Sequence, residues 1–265
     1  MTENWLDIDN KVMVVTGGSS GIGRQIVKSL LENDVIVYNA DLHDNPIDHP
    51  NYHFKETNVA DKTAVRASVD SILNEQSKID VLVNNAGINL PRLLVDAKEE
   101  KPEYEINQKE LDLMFDVNLK GPIYFSQEVS RHFVEVQKGI IINVASEAGQ
   151  EGSEGQSVYG ATKAALINFT RSWAKELGKH NIRVVAIAPG ILEETGLRTA
   201  EYEEALAYTR NTTVEALNGD YSKSIPIRRV GQLSEVADLV SYLSSEKSSY
   251  ITGTTINLSG GKSRG

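Results

Sequence analysis

The 265-residue chain contains no cysteine, which excludes disulfides, thiolate zinc sites and a cysteine nucleophile. It also lacks any apolar run of the about 18 residues that a membrane-spanning helix needs. Basic residues are the minority, with 27 Lys+Arg against 37 Asp+Glu and a formal net charge of −10. This balance argues against a protein that binds nucleic acid or an anionic membrane surface. The first residues have neither the charged nor the apolar region of a secretory signal, so we expect a soluble cytoplasmic protein.

Apolar runs of strand length alternate with segments of helical periodicity along the chain. Because these runs are apolar on both faces, they indicate a parallel sheet covered by helices on both sides. The chain is therefore predicted to be one α/β domain, residues 1–265, with a doubly wound sheet of seven parallel strands. Residues 108–136 read as one long helical stretch. Residues 191–230 interrupt the alternation and are predicted to form a small inserted helical lobe for the substrate. The expected strands lie at or near Val12–Val15, Val35–Tyr38, Tyr52–Lys55, Ile79–Val83, Gly139–Val144, Arg183–Ala188 and Thr254–Leu258.

A glycine-rich turn follows the first strand directly. Glycines let the backbone turn tightly and approach a pyrophosphate, and the helix that follows offers free N–H groups and a positive dipole end. The alternative is that this turn only connects a strand to a helix and binds no ligand. The position of the turn after the first strand favours nucleotide binding. The predicted dinucleotide contacts in this turn are Gly17, Ser19, Ser20, Gly21, Ile22 and Gly23.

Asp41 ends the second predicted strand, 18 residues beyond Gly23. A carboxylate at this place can accept hydrogen bonds from both ribose hydroxyls and would repel a 2′-phosphate. The alternative is an ordinary turn residue. The sequence therefore favours NAD over NADP.

Tyr159 and Lys163 are one helical turn apart, on the same face of a predicted helix. An ammonium near a phenol favours the phenolate and lowers the phenol pKa, which suits a general base for alcohol oxidation. The alternative is a surface Tyr–Lys pair. Ser146 favours the catalytic interpretation, because it follows the fifth predicted strand and can face the same crevice as the glycine turn.

Together these motifs resemble the short-chain dehydrogenases/reductases over essentially the whole chain. The resemblance rests on residues 16–23, 84–87, Ser146, Tyr159 with Lys163, and Pro189-Gly190 in their order and spacing. It implies a Rossmann-type fold, a nicotinamide cofactor, catalysis without a metal, and a homotetramer.

The resemblance also implies a role for each matching residue. Tyr159 would be the acid/base, Lys163 would lower its pKa and bind the nicotinamide ribose, and Ser146 would hold the reacting oxygen. Asn118 would anchor a proton-relay water. Further cofactor contacts would come from Asn58, Val59, Asn85, Ala86, Gly87, Pro189, Gly190 and Leu192. Thr195 stands one residue beyond the usual spacing for a contact with the carboxamide.

Residues 1–6, 91–96, 146–157 and 189–197 resemble a branch of the family that oxidises sugar-alcohol phosphates with NAD. A small-molecule substrate of that kind needs hydrogen-bonding groups for its hydroxyls and a cation for its phosphate, away from Tyr159. Arg92 is the first candidate cation, followed by Arg198 or Lys223. The candidates for the hydroxyls are Glu147, Glu151, Ser153, Glu154 and Gln156, of which Glu147, Glu154 and Gln156 are preferred.

Two alternatives remain open at this stage. The substrate could be an unphosphorylated polyol or another secondary alcohol, or the protein could be a non-catalytic NAD sensor on the same fold. No metal site is predicted, because Pro50 disfavours a helix between His49 and His53, the histidines with i,i+4 spacing.

Overall fold

Seven parallel strands form the central sheet in the order β3-β2-β1-β4-β5-β6-β7. The computed structural model describes residues 5–196, 198–217 and 221–263, with the backbone alone for Ser222. Residues 1–4, Leu197 and residues 218–220, which belong to segments named above, lie outside the described residues. The predicted fold is confirmed. The strands are β1 (Val12–Thr16), β2 (Ile36–Asp41), β3 (Tyr52–Glu56), β4 (Val81–Asn84), β5 (Gly139–Val144), β6 (Ile182–Pro189) and β7 (Thr255–Leu258).

Helices cover both faces of this sheet. Alternate residues of β1 point to opposite faces, so Met13 and Val15 pack in the cluster that includes α1 and α9. Val12 and Val14 pack in the second cluster, with side chains of α2, α4 and α6. The helices are α1 (Gly21–Leu31), α2 (Lys62–Gln76), α3 (Gln108–Phe115), α4 (Gly121–Val136), α5 (Ala148–Glu151), α6 (Ser157–Leu177), α7 (Ala200–Thr209), α8 (Val214–Leu217) and α9 (Leu233–Leu243).

The segment predicted as one helical stretch, residues 108–136, is divided in the structure. A π-helical turn, Asp116–Lys120, separates α3 from α4. Such turns occur mostly as single-turn bulges inside α-helices, so the segments on both sides still have helical periodicity and the sequence predicts one continuous helix. The turn places Asn118 in the interior.

The strand order reverses direction at β1 and β4, the two neighbours at the middle of the sheet. In open α/β sheets the crevice beyond the carboxyl ends of the strands at such a point is the usual ligand site. Here it contains a cavity of about 680 Å³. Its walls come from the glycine-rich turn, the ends of β2, β4, β5 and β6, and the helical segment α7–α8.

Candidate active site

The glycine-rich turn, residues 17–23, forms one end of the cavity and is called the glycine cradle below. Gly17 has a positive φ of 68°, and a Cβ added there would lie 2.9 Å from the Cα of Ala86. A Cβ on Gly23 would lie 2.1 Å from the Gly17 carbonyl oxygen. The hydroxyl of Thr16 accepts hydrogen bonds from the backbone N–H groups of Asn85 and Ala86, each at 3.0 Å. The cradle is thus fixed against the end of β4, with room for backbone alone.

The cradle's shape fits a dinucleotide pyrophosphate, because it leaves bare backbone at the N-terminus of α1. Of the predicted cofactor contacts, Ser19 does not line the cavity: its hydroxyl donates to the His43 carbonyl at 2.5 Å, so it shapes the loop instead. Thr195, whose spacing was unusual, lies beside Gly21 on the cavity wall. The predicted contacts that line the cavity are Gly17, Ser20, Gly21, Ile22, Gly23, Asp41, Asn58, Val59, Asn85, Ala86, Gly87, Tyr159, Lys163, Pro189, Gly190 and Leu192.

Asp41 stands at the end of β2 and lines the cavity next to the cradle. Its carboxylate accepts hydrogen bonds from the backbone N–H of Ser19 at 3.0 Å and of Leu42 at 2.7 Å. The nearby Arg24 does not line the described cavity wall and donates to the Asn45 carbonyl instead. A negative charge is therefore fixed at the place where a ribose 2′-substituent is recognised in this fold.

Tyr159, Lys163 and Ser146 come together on the cavity wall. Tyr159 lies in the first turn of α6, and Lys163 follows one turn later with its Nζ 5.7 Å from the centre of the phenol ring. The ammonium is buried and donates to the Val144 carbonyl at 2.8 Å. Ser146, just beyond β5, hydrogen-bonds the phenol. The predicted constellation is thus present as a spatial unit.

Burial dominates the protonation of this unit. It raises the pKa of Tyr159 to about 12, an effect that the hydrogen bond from Ser146 reduces. Burial also lowers the pKa of Lys163 to about 8. The expected lowering of the phenol pKa by Lys163 is therefore not found in the protein alone, because loss of hydration penalises the phenolate more than its neighbours favour it. At neutral pH the site holds a protonated phenol beside a cationic lysine.

Asn118 lies behind the cavity wall and is not among its lining residues. Its side-chain amide donates to the Ile88 carbonyl at 2.8 Å and to the Thr162 hydroxyl at 3.1 Å. Its oxygen accepts from the Ile88 N–H at 2.8 Å. The side chain therefore joins the π-helical turn to the chain after β4 and to α6. The proton-relay role remains a prediction.

The first candidate for a phosphate cation, Arg92, does not fit that role. Its guanidinium forms a two-pronged ion pair with Glu110 and also donates to the Pro91 carbonyl. Glu110 thus balances the charge of Arg92, and Arg92 is absent from the described cavity wall. Glu154 and Lys223 are exposed and also do not line the described wall. The sequence could not show this, because the neutralising partner is 18 residues away on α3.

Glu147 and Gln156 line the cavity as predicted. One oxygen of Glu147 accepts from Lys262 Nζ at 2.6 Å, while the other is buried without a partner in the described structure. The Gln156 amide donates to the Tyr202 hydroxyl at 2.9 Å. Sequence reasoning missed Tyr202 and Lys262 because no local motif marks them. Arg210 also lines the cavity and was missed for the same reason.

Comparison with known proteins identifies the family. A family model described as short chain dehydrogenase matches residues 11–205. The chain belongs to the short-chain dehydrogenase family. This membership makes it an oxidoreductase with a nicotinamide cofactor.

Several relatives match over nearly the full length. The chain is 55% identical over 264 residues to a sorbitol-6-phosphate 2-dehydrogenase from Klebsiella pneumoniae, covering 98% of this chain and 99% of that protein. It is 34% identical to a 3-oxoacyl-(acyl-carrier-protein) reductase from Thermotoga maritima, covering 96% and 98%.

Solved structures share the fold. Ligand-free aldohexose dehydrogenase from Thermoplasma acidophilum has a TM-score of 0.83 at 29% identity, covering 97% of this chain and 96% of that one. A 3-ketoacyl-(acyl-carrier-protein) reductase from Brucella melitensis, complexed with NADH, has a TM-score of 0.80 at 26% identity, covering 97% and 99%. Within the described ranges, every helix is too short or too polar to span a membrane.

Proposed function

We propose that this protein uses NAD to interconvert D-sorbitol 6-phosphate and D-fructose 6-phosphate by hydride transfer at C2. The observation that carries the proposal is the meeting of Ser146, Tyr159 and Lys163 in one cavity with the glycine cradle. The 55% identity to a sorbitol-6-phosphate 2-dehydrogenase supports the choice of substrate. One cavity thus contains the groups for a dinucleotide and for an alcohol.

The side chains divide the proton chemistry among them. In the reducing direction, the protonated phenol of Tyr159 donates its proton to the carbonyl oxygen, and Ser146 holds that oxygen by a hydrogen bond. In the oxidising direction, Tyr159 receives the proton of the C2 hydroxyl. Lys163, cationic at neutral pH, favours the phenolate that this step requires. The bound nicotinamide ring supplies the hydride acceptor or donor.

Asp41 carries our proposal that NAD is preferred over NADP. Its carboxylate faces the cavity beside the cradle, and the hydrogen bonds from Ser19 and Leu42 hold it in place. A 2′-phosphate at this position would meet a fixed negative charge with no cation beside it among the described wall residues near the cradle.

The direct test is the formation of NADH, followed by its absorbance, with sorbitol 6-phosphate, sorbitol and a panel of other polyols. We expect kcat/KM to be at least about 10-fold higher for sorbitol 6-phosphate than for sorbitol, since one charge-assisted pair contributes that much. Equal values would replace this substrate by an unphosphorylated polyol or another secondary alcohol. Tight NAD binding without turnover of any substrate would favour an NAD sensor.

We also propose a homotetramer located in the cytoplasm, formed from single-domain subunits in which residues 191–230 serve the substrate. The family resemblance supports the tetramer, and light scattering of the purified protein tests it. A monomer in solution would contradict it.

A further inference from the structure

Part of the cavity wall carries positive charge. Arg198, Tyr202 and Arg210 line this part, which is called the substrate end below. They come from α7 and the residues that flank it. Among the described residues, the cationic side chains on the cavity wall are Lys163, Arg198, Arg210 and Lys262.

Three of these four cations already have a role in the protein: two are paired with carboxylates, and one lies beside Tyr159. Lys163 donates to the Val144 carbonyl beside Tyr159. Lys262 is paired with Glu147 at 2.6 Å, and Arg198 with Glu203 at 3.0 Å. Two of the positive charges are therefore balanced by carboxylates, and the third serves the reacting end.

Arg210 differs from them. It follows α7 directly, and its Nη2 donates to the Ser153 hydroxyl at 2.8 Å. Its Nε donates to the Glu154 carbonyl at 3.4 Å. Both acceptors are neutral, and the described residues include no ion-pair partner for Arg210. These two bonds hold the side chain in place. A guanidinium has five N–H donors, so further donors and the full positive charge remain for a ligand.

Tyr202 connects this cation to the reacting end. Its hydroxyl accepts hydrogen bonds from Gln156 at 2.9 Å and from Asn89 at 3.3 Å, so its own proton has no described acceptor. The charges of Arg210 and Arg198 act on Tyr202 and lower its pKa against the larger effect of burial. Tyr202 in turn is close enough to Tyr159 to raise the pKa of that phenol. Tyr202 therefore lies within electrostatic range of both Tyr159 and the arginines.

We propose that Arg210 binds the phosphate of the substrate and that Tyr202 donates to a hydroxyl in the middle of its carbon chain. This inference rests on the proposed function, because it assigns the phosphate of a hexitol phosphate oxidised at C2. That phosphate is at the opposite end of the carbon chain from the reacting carbon. A planar guanidinium matches phosphate geometry through paired N–H groups. Ser153 and the Glu154 carbonyl fix its orientation before the substrate arrives.

The test compares kcat/KM for sorbitol 6-phosphate and for sorbitol in the wild type, Arg210→Gln and Arg210→Lys. We expect the phosphate preference, the ratio of the two values, to fall by at least about 10-fold in Arg210→Gln. Arg210→Lys should lose less of it, because the charge remains and only the paired geometry is lost. Arg66→Gln is the matched control, since Arg66 is exposed on α2 and its ion-pair partner among the described residues is the exposed Asp70.

The outcomes separate the two proposals. A wild type without any phosphate preference would overturn the proposed substrate. A wild type with the preference, together with an Arg210→Gln variant that keeps it, would overturn the role of Arg210 alone. Thermal unfolding shows whether Arg210→Gln is folded. If Arg210→Gln is not folded, Arg210→Lys provides the test. An unchanged phosphate preference and an unchanged KM for sorbitol 6-phosphate in Arg210→Lys would also reject the paired phosphate contact.

Discussion

The two ends of the cavity are built in different ways. The glycine cradle consists of backbone from one short segment, and its shape depends on the absence of side chains at Gly17 and Gly23. The substrate end consists of side chains of α7 and its flanking residues, which a distant part of the chain holds in place: Arg210 contacts Ser153, 57 positions earlier in the sequence. On the proposals made above, the pyrophosphate of the cofactor would be recognised through main-chain geometry and the substrate through long side chains.

This difference affects how each end can change. A backbone site tolerates few substitutions, because any Cβ at the close contacts must displace main chain. A site made of side chains can be altered one residue at a time on an unchanged scaffold. The relatives agree with this contrast, since a sorbitol-6-phosphate 2-dehydrogenase and a 3-oxoacyl-(acyl-carrier-protein) reductase both match this chain over nearly its whole length.

Tyr159→Phe should have the largest effect and should separate chemistry from cofactor binding. The variant keeps the ring but loses the transferable proton, so kcat should fall by at least about 100-fold. NADH affinity, measured by fluorescence titration, should change little. If the variant kept more than a tenth of the rate, Tyr159 would not be the acid/base.

Asp41→Ser should change the choice of cofactor. The loss of charge-assisted bonds to the ribose should lower the ratio of kcat/KM for NAD to that for NADP by roughly 10- to 150-fold. Asp48→Ser, at an exposed position of the same loop, is the control. An unchanged ratio would mean that cofactor choice is determined elsewhere.

Gly23→Ala tests whether the cradle acts through its backbone shape. The new Cβ would lie 2.1 Å from the Gly17 carbonyl oxygen. Overpacking of this kind costs about 1–3 kcal/mol. If the cradle shifts to relieve it and must shift back to bind NADH, binding should weaken by up to roughly 5- to 150-fold. Gly178→Ala is the control, because a Cβ there would meet no other segment within 4 Å among the described residues. Equal NADH affinity in both variants would contradict the requirement for bare backbone.

The buried Lys163 should leave a signature in the pH dependence of stability. Its pKa is about 8 in the folded protein, against an ordinary value of 10.5. Between these values the unfolded chain binds the extra proton, so the free energy of unfolding should rise with pH. From pH 8 to 10 the wild type should gain up to about 2 kcal/mol relative to Lys163→Met in urea denaturation. Parallel pH profiles of the two proteins would contradict the lowered pKa.

Lys262→Met should have the smallest effect, a small loss of stability. Lys262 lies on the cavity wall and pairs with Glu147. The substitution leaves Glu147, beside Ser146, without its ionic partner. Because both groups are partly exposed, with 28% and 14% of their side chains accessible, we expect a loss of only about 1 kcal/mol in the free energy of unfolding. Lys109→Met, at an exposed position of α3, provides the control in thermal denaturation. No difference between the two variants would show that the ion pair contributes no stability.

The sequence by itself determined the sheet and pointed to the candidate reacting residues, whose roles stay a prediction. Its alternation of apolar strands and periodic helices led to seven parallel strands, because burial on both faces leaves a local pattern in each strand. The glycine cradle and the Tyr159–Lys163 spacing were visible for the same reason: each is complete within one segment. Ser146 could be added because the carboxyl ends of parallel strands share one edge.

Only the tertiary structure decided which charges are available in the cavity. Arg92 looked like the phosphate cation, but Glu110 neutralises it from a helix that the sequence does not place against it. Lys262 was passed over, and the fold brings it to Glu147 across 115 residues. The structure also showed that burial raises the pKa of Tyr159 where an adjacent lysine predicted the opposite. Charge pairing and desolvation depend on distances between segments, and linear spacing does not contain those distances.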